Sequence, residues 1–176
     1  FEEPVTQATL KVVGAFLGLS RERSDARRYP AIHPLESWSK YKSLVDPAKL
    51  AMARDILRRG ADVNQMMKVV GEEGTGIEDF IVYMKSEFLD YVFLQQNTFD
   101  PQDGASSAER QREMFDGVCR VLETPFGFAD KEQARAFFLE LRQLFLDRNY
   151  MAQGSAEYVR QQQLIDRKII GSMKNA

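Results

Sequence analysis

IEDFIVYMKSEFLDYV, Ile77 to Val92, decides the fold. Its apolar residues Ile77, Phe80, Ile81, Met84, Phe88 and Val92 recur three and four positions apart, which lines them along one stripe of an α-helix. A stripe that wide needs other helices to cover it, and the flanking sequence supplies them. Upstream, Leu50, Ala53, Ile56 and Leu57 form one stripe ended by Gly60, and Val63, Met66, Met67 and Val70 form a second ended by Gly71. Downstream, after a loop from Asn97 to Gly104, Met114, Phe115, Val118 and Leu122 mark another helix, and Ala134, Phe137, Phe138, Leu141, Leu144 and Phe145 the next. A more polar helix from about Ser155 closes the chain. There is no internal repeat and no low-complexity tract. The pattern predicts a helical bundle over residues 41–176.

Residues 1–40 read differently. TLKVVGAFLGL, Thr9 to Leu19, is short, apolar and partly β-branched, and it predicts a buried strand with its exit. Ser20 is placed to cap the charged stretch RERSDARR. RRYPAIHPLESWSKY, Arg27 to Tyr41, then collects two prolines, the only histidine and the only tryptophan. Pro30 and Pro34 force an extended path, because proline fixes φ and disfavours the α region in the residue before it. The expected fold is therefore mainly α: a carboxy-terminal helical bundle preceded by a short α/β remnant of strand, helix and turn.

Bulk properties exclude several classes. At 176 residues and 44% hydrophobic content the chain holds one domain, or one domain with part of a neighbour. A net charge of −2 and a pI near 5.6 give no long-range attraction for nucleic acid or an anionic membrane. No window has the apolar length of a membrane span, so the expectation is a soluble protein without direct membrane insertion. The single cysteine, Cys119, falls on an apolar helix face, which excludes disulfide frameworks and cysteine zinc sites. GEEGTG, Gly71 to Gly76, lacks the lysine and Ser/Thr of a phosphate loop; Ile77 and Glu78 follow instead. His33 and Glu36 have the spacing of two helical ligands, but Pro34 interrupts them and there is no second histidine, so no metal site is expected. Glu72 with Glu73 and Glu78 with Asp79 lie at a glycine-rich junction, and a solvated charge cluster is their default reading. No catalytic residue is assigned. The amino terminus, FEEPVTQ, has no initiator methionine and no signal core, and reads as a cut inside a longer protein.

Three blocks carry a resemblance. FEEPVTQATLKVVGAFLGL followed by RRYPAIHPLESWSKY, KVVGEEGTGIEDF at Lys68 to Phe80, and FLQQNTF at Phe93 to Phe99 together resemble the carboxy-terminal part of the catalytic A subunit of V-type (A/V-type) ATPases and ATP synthases. The likeness is strong through about Phe99 and weaker to about Leu122. Tyr29 stands where that family usually has phenylalanine, and His33-Pro34 where it commonly has Asn-Trp. Both features are shared with the beta subunit of F-type ATP synthases, a more distant relative.

The resemblance implies a parent enzyme that hydrolyses or makes ATP with magnesium, coupled to proton or sodium transport. Its phosphate-binding loop, catalytic glutamate and magnesium ligands lie before Phe1, so the isolated chain is expected to be inactive and to need no cofactor. Residues 1–40 then correspond to a remnant of the nucleotide-binding domain, and residues 41–176 to the carboxy-terminal domain. Tyr29 and Pro30 of the aromatic-proline turn, with Thr98 and Phe99 beside the Gln95-Gln96-Asn97 backbone, correspond to the adenine-packing positions. An aromatic face gives a purine roughly 1–3 kcal/mol of stacking without demanding particular hydrogen bonds. Gly71, Glu72, Glu73, Gly74, Thr75 and Gly76 correspond to a rotor-contacting loop, expected to protrude with Glu72 and Glu73 free of local partners. The implied partners are B subunits alternating in a hexameric ring and a central rotor shaft subunit. The implied location is the cytoplasmic head of a membrane-bound motor. The rival reading is a free-standing helical interaction module without a nucleotide role.

Overall fold

The computed structural model describes residues 2–174, and its contacts cluster into one unit ending at Leu44 and a second beginning at Val45.

The first unit opens with α1, Pro4–Val12, where the expectation of a strand fails. Pro4 occupies the first helical turn, where its missing N–H costs nothing, and the Thr9 hydroxyl donates back to the Val5 carbonyl at 2.9 Å. Val5, Ala8 and Val12 share a helical face, so the β-branched residues that suggested a strand belong to an amphipathic turn pattern instead. None of α1 is buried. The strand shrinks to β1, Ala15–Phe16, paired antiparallel with β2, Trp38–Ser39, so that Phe16 faces Trp38. Between them lies α2, Arg21–Asp25, capped by the Ser20 hydroxyl accepting from the Arg23 N–H at 3.2 Å.

The second unit is a bundle of α3 (Pro47–Val70), α4 (Ile77–Leu89), α5 (Ala108–Glu123), α6 (Lys131–Asn149) and α7 (Ala156–Ile170). Side-chain caps start four of these helices: Asp46 accepts from Ala48 N and Lys49 N, and Ser107, Asp130 and Ser155 each accept from the N–H three residues on. The expected break at Gly60 does not occur; α3 runs through it. Gly60 is there for packing. A Cβ added to it would lie 2.2 Å from the Ser86 Cβ, so the glycine lets α3 and α4 approach closely. The exit from α3 does use glycine conformation, with Gly71 at φ 80°.

The predicted inward stripe of α4 is buried at Phe80, Ile81, Met84 and Phe88, and the helix passes into one π-helical turn, Asp90–Leu94, that ends at Gln95. Phenylalanines fill the centre. Phe88 meets Phe145 edge-on at 5.0 Å, and Phe126 packs on Phe137 at 4.8 Å and Phe138 at 5.7 Å. Cys119 is buried beside them, and desolvation pushes its thiol up to about 11. Leu50, Met66 and Val70, expected inside, are exposed.

Polar groups finish the bundle. Lys85 is buried, and its ammonium donates to the Leu122 and Thr124 carbonyls at 2.7 and 2.8 Å, closing the carboxy end of α5. Arg110 donates to the Asn149 and Met151 carbonyls at the end of α6. Arg148, fully buried, lies over the Phe145 ring and donates to Gln162 of α7 at 2.6 Å. Among the described residues no helix is long and apolar enough to cross a membrane.

Candidate functional site

The aromatic-proline turn is held from both sides. Ser20 N donates to Ala31 O at 2.8 Å, His33 N donates to Gly18 O at 2.7 Å, and Leu19 and Ile32 form an antiparallel bridge between these bonds. On the near side Arg27 takes a left-handed conformation, φ 56°, and Arg28 N donates to Arg23 O at 2.8 Å. The Tyr29-Pro30 peptide is cis. Beyond the turn, the Ser37 hydroxyl donates to His33 O at 2.6 Å and accepts from Gly18 N at 3.0 Å. The result is a braced turn whose Tyr29 ring is 53% exposed. His33 and Glu36 are partners of one another, through Glu36 N donating to His33 Nδ1 at 3.2 Å and a side-chain approach of 3.9 Å.

Phe99 belongs to the other unit and is 97% exposed, an unusual position for a large apolar ring. Its loop is stiffened by side chains that the sequence reading passed over. Asn97 Oδ1 accepts from Phe99 N at 3.1 Å, Asp100 Oδ1 from Gln102 N and Asp103 N, and buried Asp103 accepts from Asn97 N at 2.6 Å. Thr98 lies between Asn97 and Phe99 in this loop and is exposed. Asn97, Asp100 and Asp103, three apart in a predicted loop, were the available signal, since such side chains bond backbone two or three residues away.

The segment Gly71 to Gly76 departs from expectation in one respect. Glu72 has partners: its carboxylate meets Arg135 at 2.5 Å, and its carbonyl accepts from Lys131. Both cations come from α6, which is why a reading of the local sequence could not supply them. Thr75 is buried and donates from its hydroxyl to Gly71 O at 3.2 Å, closing the turn on itself. Glu73, by contrast, is exposed and makes no hydrogen bond or ion pair among the described residues. Glu78, in the first turn of α4, approaches Lys174 at 3.4 Å.

A helix-turn-helix with a glycine-rich tip, built into an α bundle and preceded in the chain by a braced aromatic turn, defines a class. Residues 49–126 match the model of the C-terminal domain of V and A type ATP synthase, and the chain belongs to that family. It corresponds to the carboxy-terminal part of the A, or alpha, chain. It is 60% identical over 155 residues to the V-type ATP synthase alpha chain of Treponema denticola, covering 88% of this chain and 26% of that one. Against V-type ATP synthase alpha chain 1 of Treponema pallidum the identity is 58% over 94% of this chain and 28% of the relative. Against the alpha chain of Borrelia garinii it is 64% over 85% and 26%. The chain thus spans about a quarter of the length of the curated relatives it matches. A solved ATP synthase subunit, NeqB from Nanoarcheaum equitans, superposes with a TM-score of 0.57 at 19% identity, over 69% of this chain and 31% of that one. That likeness carries the fold alone. The reading as a free-standing interaction module is set aside by these relatives.

Proposed function

We propose that this chain serves, within the complete A subunit, as the adenine-packing edge of the nucleotide site and as the helical arm that meets the rotor. The parent hydrolyses or synthesises Mg-ATP and couples this to proton or sodium transport, in a ring with B subunits on the cytoplasmic face of a membrane. Tyr29 and Phe99 supply the two aromatic faces, with Pro30 and Thr98 fixing their backbones, and the Gly71–Gly76 tip meets the central shaft. The single observation that supports the adenine role best is Phe99: a large ring left 97% exposed on a loop braced by Asn97, Asp100 and Asp103. Exposing such a ring forgoes burial worth about 1.5–3 kcal/mol, so a ligand or partner that covers it recovers that term. Bracing the loop reduces the ordering that binding would otherwise require.

Stacking alone gives only about 1–3 kcal/mol, whereas phosphate and magnesium contacts dominate nucleotide binding. The isolated chain is therefore expected to bind Mg-ATP at most very weakly and to hydrolyse none. The test is made in the full-length subunit assembled with its ring. Tyr29→Ala weakens ATP binding about 5- to 150-fold, the equivalent of the stacking term, while Tyr29→Phe is nearly silent. Equal damage in the two variants would make the hydroxyl essential and overturn simple stacking.

A further inference from the structure

We infer that the rotor-facing surface is centred on the exposed apolar last turn of α3 rather than on the acidic tip, with Glu73 and Glu132 as a charged rim that selects a basic helix. The inference rests on the rotor reading above and names the chemistry of that contact. Three observations carry it.

Met66, Val69 and Val70 stand three and four apart at the end of α3, on one face. Val69 is 84% exposed and Val70 54%, although the same helix buries Ala53, Ile56 and Val63 on its inner side. Turning three apolar side chains to solvent beside a buried stripe leaves a surface whose covering is favourable.

The acids of the tip are unequal. Glu72 is already neutralised by Arg135 and tied through its carbonyl to Lys131, so it has little charge to offer a partner. The free carboxylates are Glu73 on the tip and Glu132 in the first turn of α6, neither of which makes an ion pair among the described residues.

The two elements are joined by a groove. An open cleft of about 470 Å³ is lined by Glu72, Glu73, Ile77, Asp130, Lys131 and Glu132; with Glu72 paired to Arg135, three carboxylates remain against one ammonium. An apolar end flanked by an anionic cleft fits an amphipathic helix of another polypeptide, with an apolar ridge for Val69 and lysines or arginines for the rim. A second copy of this chain would bring the same acids to the same rim, and like charges there oppose it. Apolar contact is expected to set the lifetime of the complex and the rim charges its rate of formation and salt dependence.

The experiment uses the full-length subunit in its assembled ring, titrated with the purified central shaft subunit. Val69→Asp is expected to weaken shaft binding at least tenfold at every salt concentration, with Val69→Leu close to wild type. Because Val69 is exposed, Val69→Asp leaves the melting temperature unchanged, which is checked on the same sample. Glu73→Lys with Glu132→Lys slows association and removes most of its salt dependence, leaving dissociation little changed. If Val69→Asp binds like wild type while deletion of Gly71 to Gly76 abolishes binding, this inference falls and the rotor reading stands. If both bind like wild type, both fall. If the charge reversals speed association instead, the partner surface is acidic and the stated chemistry is wrong.

Discussion

The two units of the chain are stabilised in different ways. Among the described residues the unit ending at Leu44 buries no large apolar side chain: Val5, Val12, Leu17 and Leu19 are all exposed, and its buried residues are Gly18, Ser20 and Arg23. Its shape is fixed by backbone bonds across the aromatic-proline turn and by Ser37 bridging Gly18 and His33. The bundle instead closes over a cluster running from Ala53 to Ile169, in which Phe80, Phe88, Phe138 and Phe145 are almost fully buried. Folding free energy is therefore concentrated in the bundle. The aromatic faces offered for recognition, Tyr29 and Phe99, lie where burial contributes little, so substitutions should separate stability from binding.

The largest effect is expected at the centre of the bundle. Phe88→Ala removes a ring packed on Phe138 and Phe145 and should cost about 3–5 kcal/mol in urea unfolding. A cost below about 1 kcal/mol would mean that the core can collapse around the gap, and would break the contrast between the units. Next comes the helix crossing. Gly60→Ala forces a methyl against Ser86, where only 2.2 Å is open, and should cost about 1–3 kcal/mol. The same change in a Ser86→Gly background should cost less, because the opposing Cβ is gone. A cycle in which the two changes simply add would show that this contact does not set the crossing.

A smaller effect follows from Lys85. Desolvation, with Arg59 adding to it and Glu78 opposing it, lowers this amine from the usual 10.5 to about 8. Between about pH 8 and 10.5 the unfolded chain thus holds the proton that the folded chain has released, and stability from this group rises with pH across that window. Below it the contribution is at its lowest and flat. Deprotonation does not break the closure of α5, since a neutral amine keeps two N–H donors for the Leu122 and Thr124 carbonyls. Urea midpoints from pH 7.5 to 10 should therefore rise in wild type relative to Lys85→Met. A relative fall would mean that the charged form is the stabilising one.

What the sequence made legible follows from which interactions are local. The stripe of α4, the Ser20 cap and the helix start at Ser155 depend on residues three or four apart, and they appear where such spacing places them. Gly60 misled because a glycine that ends a helix and one that admits a neighbouring helix look alike until Ser86 is opposite it. Thr9 to Val13 misled because β-branched residues suggest a strand by propensity, whereas Pro4 and the hydroxyl of Thr9 favour a helix. In the candidate sites, the aromatic turn and the glycine tip were found through resemblance. The partners of Glu72 lie some sixty positions away on α6, beyond any local pattern.

The smallest effect on folding should fall on the proposed recognition rings. Phe99 has almost its whole surface in solvent and no ring neighbour among the aromatic pairs described, so Phe99→Ala gives up little burial. Its effect on urea unfolding of this chain should lie within about 0.5 kcal/mol, and that of Tyr29→Ala likewise for the bundle transition. Asp103→Ala is the informative companion. It removes the acceptor for Asn97 N and should loosen the loop that carries Phe99, at a cost of about 1–3 kcal/mol if that N–H is left without a partner. In the full-length subunit, Phe99→Ala and Asp103→Ala should both weaken ATP binding, the first by losing a stacking face and the second by losing its bracing. Only the second should also lower stability. If Phe99→Ala lowered stability as much as Asp103→Ala while leaving ATP affinity unchanged, Phe99 would be a packing residue, and its exposure would have to be explained by a protein partner instead of adenine.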